Sequence, residues 1–170
     1  MSQNAKIVGG LGGLYEVLTA EKEHIFCRAR GNLKKEDKLL VGDLVALEFE
    51  AGEAVIVSCL ARKNSLIRPP LANLDYLFIV TAATSPDPSY ETIDKLTAIA
   101  IHNAITPVIV ITKADLSQED AERTERIYKA CGFPVFTLGA GSDTAALSSY
   151  IEKALQGTTP GTLTTVQVSS

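Results

Sequence analysis

The sequence predicts a β plus α/β fold, in which an N-terminal OB-fold β-barrel is followed by a partial parallel-sheet domain. Two observations carry this prediction. In the first third of the chain, apolar and polar residues alternate in short runs separated by turn residues, whereas further on buried strands alternate with helical segments. Between the two patterns, Pro69 and Pro70 impose extended backbone, so we place the domains at residues 1–69 and 70–170.

The first domain contains five predicted strands, at residues 6–8, 14–19, 24–30, 39–50 and 54–61. The second and third strands form a hairpin, because only a short charged segment connects them. Five short strands with almost no helical period make a small barrel, and the OB-fold is the barrel of matching size. The glycines after the first strand do not form a dinucleotide-binding loop, because Tyr15 stands where G-x-G-x-x-G requires its last glycine and no helix follows.

The second domain alternates strands and helices three times, with strands at 74–83, 107–112 and 135–138 and helices at 89–103, 117–131 and 143–155. Such alternation predicts a parallel sheet with right-handed crossovers. Ser117 is the predicted N-cap of the second helix, since its hydroxyl can accept a hydrogen bond from a free backbone N–H. The first helix has its apolar residues at helical spacing, namely Ile93, Leu96, Ile99 and Ala100.

A polar tetrad, Thr112 to Asp115, follows the most apolar strand of the chain. Ligands bind at the carboxyl ends of strands in open α/β sheets. There, Asp115 could accept two parallel hydrogen bonds from the N–H and NH₂ groups of guanine, which adenine lacks, while the methylene stem of Lys113 lies along the base. The tetrad is similar to the guanine-reading [NT]KxD element of GTPases. The alternative is a strand-end turn in which Asp115 and Ser117 only cap the next helix.

Basic residues are concentrated in one segment of the barrel, although the chain has a net charge of −4. Residues 28–38 (RARGNLKKEDK) contain five basic and two acidic residues. A loop of this kind on a barrel can follow the phosphates of RNA, with Arg28, Arg30, Lys34 and Lys35 as the predicted contacts. The alternative is an ordinary solvated loop. Aromatic residues that could stack on bases are few, since only Tyr15 and Phe26 lie nearby and both are equally suited to the core.

The remaining candidates for chemistry are few. Cys27, Cys59 and Cys131 lie in apolar stretches without a CxxC motif, which predicts reduced core thiols. His24 and His102 have no partner at metal-ligand spacing. No apolar run reaches membrane-spanning length and no signal peptide opens the chain, so we expect a cytoplasmic protein without membrane contact.

Five separated stretches resemble, in order and spacing, the bacterial ribosome-biogenesis GTPases called RsgA or YjeQ: GGLGGLYEV, CRARGNLKK, LVGDLV, RKNSLIRPPLANLDYLFIV and VIVITKADL. The resemblance implies an OB-fold followed by a circularly permuted, P-loop GTPase-like domain, in which the guanine-reading elements precede the phosphate loop. It implies guanine contacts by Thr112, Lys113 and Asp115. It also places a second base-contacting turn at residues 138–140, where the family commonly has Ser-Ala. Only Ala140 matches this pair, and its amide would meet the guanine O6.

The same resemblance implies a partner and cofactors. The complete protein would hydrolyse GTP with Mg²⁺ during late maturation of the small (30S) ribosomal subunit, bind its rRNA and guanine nucleotide, and act as a cytoplasmic monomer. The family also carries zinc in a C-terminal Cys/His module, which has no counterpart in this sequence.

The sequence departs from the family at its end. It contains no G-x-x-x-x-G-K-[ST] and no D-x-x-G, so we expect no catalytic residues and no GTP hydrolysis by this chain alone. We expect a truncated or frameshifted product, or the first two-fifths or so of a longer protein, with residues 163–168 replacing the strand that normally enters the phosphate loop. The alternative function is a stand-alone OB-fold RNA- or ribosome-binding module without nucleotide hydrolysis.

Overall fold

The computed structural model describes residues 3–31, 33, 38–156 and 163–167, and the chain forms two compact units, residues 1–74 and 75–170. The described part of the first unit contains the strands β1 (Gln3–Leu11), β2 (Leu14–Thr19), β3 (His24–Ala29), β4 (Leu44–Glu50), β5 (Glu53–Cys59), β6 (Ser65–Leu66) and β7 (Leu71–Ala72).

Strands β1 to β5 form a closed barrel in the order β1-β2-β3-β5-β4. β3 and β5 pair in parallel and the other neighbours pair antiparallel. Alternate residues point inward, so the interior contains fully buried aliphatic side chains such as Ile7, Val17, Val45, Leu47 and Ile56. The predicted OB-like barrel is therefore confirmed.

The segment before β4 differs from the sequence prediction, which continued that strand back to residue 39. Residues 39–43 form a turn instead, because the Asp43 carboxylate accepts the N–H of Leu40 at 2.7 Å and the Asp43 N–H donates to the Leu40 carbonyl at 3.1 Å. Gly42 has a φ of +97°, and a Cβ there would lie 2.0 Å from the carbonyl oxygen of Ala72. Only glycine fits this position.

The proline-containing segment belongs to the first unit. β6 pairs antiparallel with β7, and the side chain of Asn73 donates to the Gly42 carbonyl at 2.9 Å. Arg62 makes a two-pronged ion pair with the fully buried Asp43, from Nε at 2.7 Å and from Nη2 at 2.8 Å. These polar contacts hold residues 62–74 on the barrel.

The second unit contains β8 (Tyr76–Ala82), α1 (Tyr90–His102), β9 (Thr106–Thr112), α2 (Gln118–Ala130), β10 (Val135–Thr137), α3 (Ala145–Gln156) and β11 (Leu163–Gln167). All neighbouring strands are parallel, in the order β10-β9-β8-β11. This arrangement confirms the predicted partial parallel sheet with helices, and β11 coincides with the predicted strand at 163–168. None of the described helices is long and apolar enough to cross a bilayer.

The buried face of α1 is rotated from the predicted one. Ile93 and Ala100 are buried as expected, but Thr97 is buried between them, Leu96 is half-buried and Ile99 is 46% exposed. The hydroxyl of Thr97 donates to the carbonyl of Asp94 at 2.9 Å, so its polar atom is satisfied inside the helix. A small polar residue can therefore face the sheet where the larger Ile99 was expected.

The three cysteines are not alike. Cys27 is buried in the barrel, where desolvation raises the pKa of its thiol, and Cys59 is half-buried. Cys131 is exposed, contrary to the prediction of a core thiol, because it is the C-cap of α2 and follows the last buried residue of that helix, Tyr128.

Candidate functional site

The polar tetrad occupies the turn that leaves the carboxyl end of β9. Thr112 is the last residue of the strand, and Lys113 has a φ of +57°, which turns the chain sharply. Ala114 is buried, and its N–H donates to the Leu138 carbonyl at 3.0 Å, so the turn is fixed to the end of β10. Asp115 is exposed at this edge of the sheet. The buried residue Ala114 thus anchors the turn, while the carboxylate of Asp115 stays accessible.

The carboxylate of Asp115 contacts the other predicted base-reading residue. Its Oδ1 accepts the backbone N–H of Ala140 at 2.7 Å, although the two residues lie far apart in the sequence. Asp115 does not cap α2, because the Ser117 hydroxyl does so by accepting the N–H of Asp120 at 3.3 Å. The strand-end alternative therefore describes Ser117 but not Asp115.

Gly139 is a part of this site that sequence reasoning did not single out for its role. A Cβ at this position would lie 2.9 Å from the backbone nitrogen of Asp115 and 3.0 Å from its Oδ1. Even an alanine side chain would displace the carboxylate or the turn. The signal in the sequence was the departure from the Ser-Ala pair that the resemblance implied, because Gly139 stands where that serine is common.

Lys113 and Thr112 connect the tetrad to the end of the neighbouring strand β8. The ammonium group of Lys113 donates to the backbone carbonyl of Ser85, which holds the exposed aliphatic stem of the lysine across the sheet edge. The hydroxyl of Thr112 donates to the Thr81 carbonyl at 3.1 Å. Of the four predicted residues, Asp115 and Ala140 are thus hydrogen-bonded to each other, whereas Thr112 and Lys113 bind backbone carbonyls in and after β8.

The site contains no donor set for a metal ion. Within the described residues no group of three or more His, Cys, Asp or Glu side chains could hold one. The sequence also lacks the G-x-x-x-x-G-K-[ST] motif whose hydroxyl would share a magnesium ion with phosphates. The residues present therefore do not fit Mg²⁺, and their chemistry is restricted to hydrogen bonding by the tetrad and the 138–140 turn.

The predicted RNA contacts lie on the barrel, in the first unit. Arg28 is exposed on β3, but Arg30 donates to Glu48 at 3.1 Å and also to Glu50. The hydrogen bonds that Arg30 donates to Glu50 and Glu48 raise the pKa of Arg30, so it stays protonated while the two carboxylates offset its charge locally. Lys34 and Lys35 lie outside the described residues. The basic segment therefore offers less free positive charge than its composition indicated.

An exposed aromatic residue adjoins Arg28 on the same face of β3. Phe26 is 64% exposed, because the alternation of the strand directs it outward with Arg28 while Cys27 between them is buried. Sequence reasoning left Phe26 as a possible core residue. The period-two pattern could have identified it, since it places Phe26 and Arg28 on one face.

Models of known protein families match both parts of the chain. The family model described as RsgA GTPase matches residues 59–159, which is more than half of the chain, and that of the RsgA N-terminal domain matches residues 4–57. The chain belongs to the RsgA GTPase family. The resemblance noted in the sequence is thereby confirmed.

Relatives and solved structures within the RsgA family cover most of the chain. The "Small ribosomal subunit biogenesis GTPase RsgA" of Caldanaerobacter subterraneus subsp. tengcongensis is 36% identical over 152 residues, which are 86% of this chain and 51% of that protein. The protein of the same name from Clostridium beijerinckii is 34% identical over 139 residues, which are 81% of this chain and 48% of that protein.

Two solved structures share the fold. YloQ, described as a circularly permuted GTPase, superposes with a TM-score of 0.79 at 29% identity and covers 100% of this chain and 61% of its own. YjeQ from Thermotoga maritima superposes with a TM-score of 0.76 at 30% identity, covering 88% of this chain and 57% of its own. The chain thus spans about half the length of the curated RsgA proteins it matches.

Proposed function

We propose that this chain is the OB-barrel and guanine-reading portion of a GTP-hydrolysing factor that acts in the maturation of the small ribosomal subunit. One observation carries the proposal. The Asp115 carboxylate and the Ala140 N–H, an acceptor and a donor, meet at 2.7 Å at the carboxyl edge of the parallel sheet. An exposed acceptor beside an exposed donor is the complement of the N1–H and O6 edge of guanine.

Binding would exchange this internal hydrogen bond for contacts with the base. The N1–H and 2-amino groups of guanine would donate to Asp115, and its O6 would accept the N–H of Ala140. With adenine, an amino group would face the Ala140 N–H, so that donor meets donor. An unprotonated ring nitrogen would face the carboxylate, so that acceptor meets acceptor. Each mismatch leaves a polar group without its hydrogen bond, which costs about 1–3 kcal/mol. The stem of Lys113, held at Ser85, would cover one face of the base.

The described residues supply only base recognition. Phosphoryl transfer is catalysed by positioning and charge stabilisation at the β- and γ-phosphates. The sequence contains no phosphate-loop motif and the described residues offer no magnesium donor set, so the chain alone would not hydrolyse GTP and would bind it weakly. GTP hydrolysis with Mg²⁺ belongs, in this proposal, to a complete protein of the relatives' length.

The partner of the barrel would be the RNA of the small subunit. Arg28 offers a phosphate contact and the neighbouring exposed ring of Phe26 offers a stacking surface, the combination that single-stranded RNA sites use. Arg30, Lys34 and Lys35 complete the proposed set, although Arg30 would first have to leave its two carboxylates. The GTPase family match over residues 59–159 supports this function over a stand-alone RNA-binding module.

The guanine assignment is tested by changing one atom of the proposed reader. The isotope-labelled chain is titrated with GMP, AMP and XMP, and the amide signal of Ala140 is followed by NMR. We expect the wild-type chain to prefer GMP and Asp115→Asn to prefer XMP, because the asparagine amide can donate to the 2-oxo group of xanthine. Asp143→Asn, which changes an exposed carboxylate near the site, is the control and should keep the GMP preference. Equal binding of GMP and AMP by the wild-type chain would contradict the assignment.

The ribosomal partner is tested separately. The chain is sedimented with purified small or large ribosomal subunits at a series of salt concentrations. We expect binding to the small subunit that weakens as salt rises, since released counterions drive phosphate contacts. Equal binding to both subunits would remove the small-subunit assignment without affecting the guanine site.

A further inference from the structure

We infer that Ser142 is a positioning residue for guanine recognition, acting through the Ala140 amide without contacting the base. This inference rests on the proposed function of the Asp115–Ala140 pair and adds to it a residue outside both the tetrad and the 138–140 turn. The supporting feature is a four-residue turn, Gly139 to Ser142, which ends two residues before α3 begins.

The turn is closed by two hydrogen bonds between its first and last residues. The N–H of Ser142 donates to the Gly139 carbonyl at 3.0 Å, and the N–H of Gly139 donates to the Ser142 hydroxyl at 2.7 Å. Gly141, at the third position, has a φ of +75°, as a type II turn requires. The ends of the turn are therefore bound twice, once through the backbone and once through the serine side chain.

This closure determines where the amide of Ala140 points. Ala140 occupies the second position of the turn, so its N–H is not used within the turn and is directed at Asp115. The turn is packed against the same carboxylate, because a Cβ on Gly139 would be 3.0 Å from Asp115 Oδ1. By accepting the Gly139 N–H, the Ser142 hydroxyl fixes the turn in this position and so keeps the Ala140 N–H directed at the place where O6 would bind.

If Ser142 has this role, removing its hydroxyl should weaken only the contact with the O6 edge of the base. Without the hydroxyl, the turn loses one hydrogen bond and the Ala140 amide is no longer held in a single direction. A neutral hydrogen bond contributes about 1 kcal/mol net, which corresponds to roughly fivefold in affinity. The loss should be the same for every base that has an O6, whether or not it also carries the 2-amino group that Asp115 reads.

The experiment compares GMP with IMP, which keeps O6 and N1–H but lacks the 2-amino group, on the full chain by NMR titration. We expect Ser142→Ala to weaken both ligands about fivefold and leave their affinity ratio unchanged. Ser142→Thr, which keeps the hydroxyl, should restore both. Ser149→Ala, an exposed serine of α3, is the matched control and should bind like the wild type. Asp115→Asn should instead lower the ratio of GMP to IMP affinity.

The outcomes separate this inference from the proposal beneath it. If Asp115→Asn lowers GMP binding while Ser142→Ala binds like the wild type, the role of Ser142 is wrong and the guanine site stands. If Ser142→Ala changes the GMP to IMP ratio, the hydroxyl acts on the 2-amino side and the inference is also overturned. If the wild-type chain shows no response to GMP, or none that distinguishes it from AMP, both fail together. The spectra of each variant report its folding directly.

Discussion

Removing the guanidinium of Arg62 should destabilise the barrel far more than the loss of an ordinary ion pair. The carboxylate of Asp43 is fully buried, whereas the side chain of Arg62 is 27% exposed, so Arg62→Met leaves a charge inside the protein with the Leu40 N–H still bound to it. Breaking a buried pair costs about 3–5 kcal/mol. Because the arginine is partly exposed and one hydrogen bond remains, we expect about 2–4 kcal/mol.

Hydrogen exchange measures this cost within the first unit. The amide of Ile7 donates to the Asp43 carbonyl at 2.9 Å, so its exchange reports opening beside the ion pair. A loss of about 2–4 kcal/mol should speed its exchange roughly 30- to 700-fold, if it exchanges by global opening of the barrel. Arg30→Gln is the control, because Arg30 pairs with Glu48 at 3.1 Å on the surface of the same barrel, where exposed pairs are worth about 0.2–1 kcal/mol.

A second variant examines the cause of the effect. In Arg62→Met/Asp43→Asn the buried charge is absent, so part of the stability lost in Arg62→Met should return. If the double variant loses the sum of the two single losses, the residues are not coupled and the reasoning fails. An effect of Arg62→Met no larger than that of Arg30→Gln would refute it as well.

Three further predictions follow from the structure. Gly42→Ala should destabilise the first unit by more than about 2 kcal/mol in urea unfolding, whereas Gly12→Ala, at a positive φ with open space around it, should cost only about 1 kcal/mol. In RNA binding, Arg28→Gln should lower the slope of log affinity against log salt by about one, and Arg30→Gln should lower it less, since two carboxylates already neutralise Arg30. Burial of the Tyr128 phenol, together with its hydrogen bond to a carboxylate, raises the pKa of Tyr128. Folding therefore favours the protonated phenol, and the free energy of unfolding should fall as the pH rises above about 10. Tyr128→Phe should reduce this fall in alkaline unfolding experiments.

Each of these has a clear contrary result. Equal losses for the two glycine variants would show that the close approach to the β7 carbonyl is not the cause. Equal salt slopes for the two arginine variants would show that the ion pairs of Arg30 open without cost on RNA. If Tyr128→Phe loses stability above about pH 10 as steeply as the wild type, other groups cause that loss.

The order of elements could be predicted because it depends on local periodicity. The alternation of period two in the barrel and the strand-helix repeats of the second unit are properties of neighbouring residues, and they also placed Thr112, Lys113 and Asp115 at a sheet edge. The rotated face of α1 could not be foreseen in this way. Thr97 can be buried because its hydroxyl donates to the carbonyl of Asp94, one turn earlier in the helix. The spacing of apolar residues contains no information about this hydrogen bond.

The other parts that could not be predicted depend on contacts between distant segments. The barrel order brings β4 close to the end of β3, and this pairs Arg30 with Glu48 and Glu50, which composition alone had counted as free charge. Likewise, the need for glycine at position 139 arises only when Asp115 is 3 Å away, a distance that the sequence does not contain. The residues proposed to read the base can be recognised from a motif, but the residues proposed to position them cannot.

The strand order of the second unit has a consequence for the growing chain. β8 is the first of the described strands of this unit to be synthesised, yet one of its two neighbours, β11, is the last of them, with Tyr76 opposite Leu163 and Val80 opposite Gln167. Until β11 emerges, β8 can pair only with β9, and its other edge displays unpaired backbone groups beside fully buried positions such as Ile79. Such edges are the points at which incomplete chains associate with one another. The interval between translation of residues 80 and 163 is therefore the period in which this fold is most exposed to aggregation.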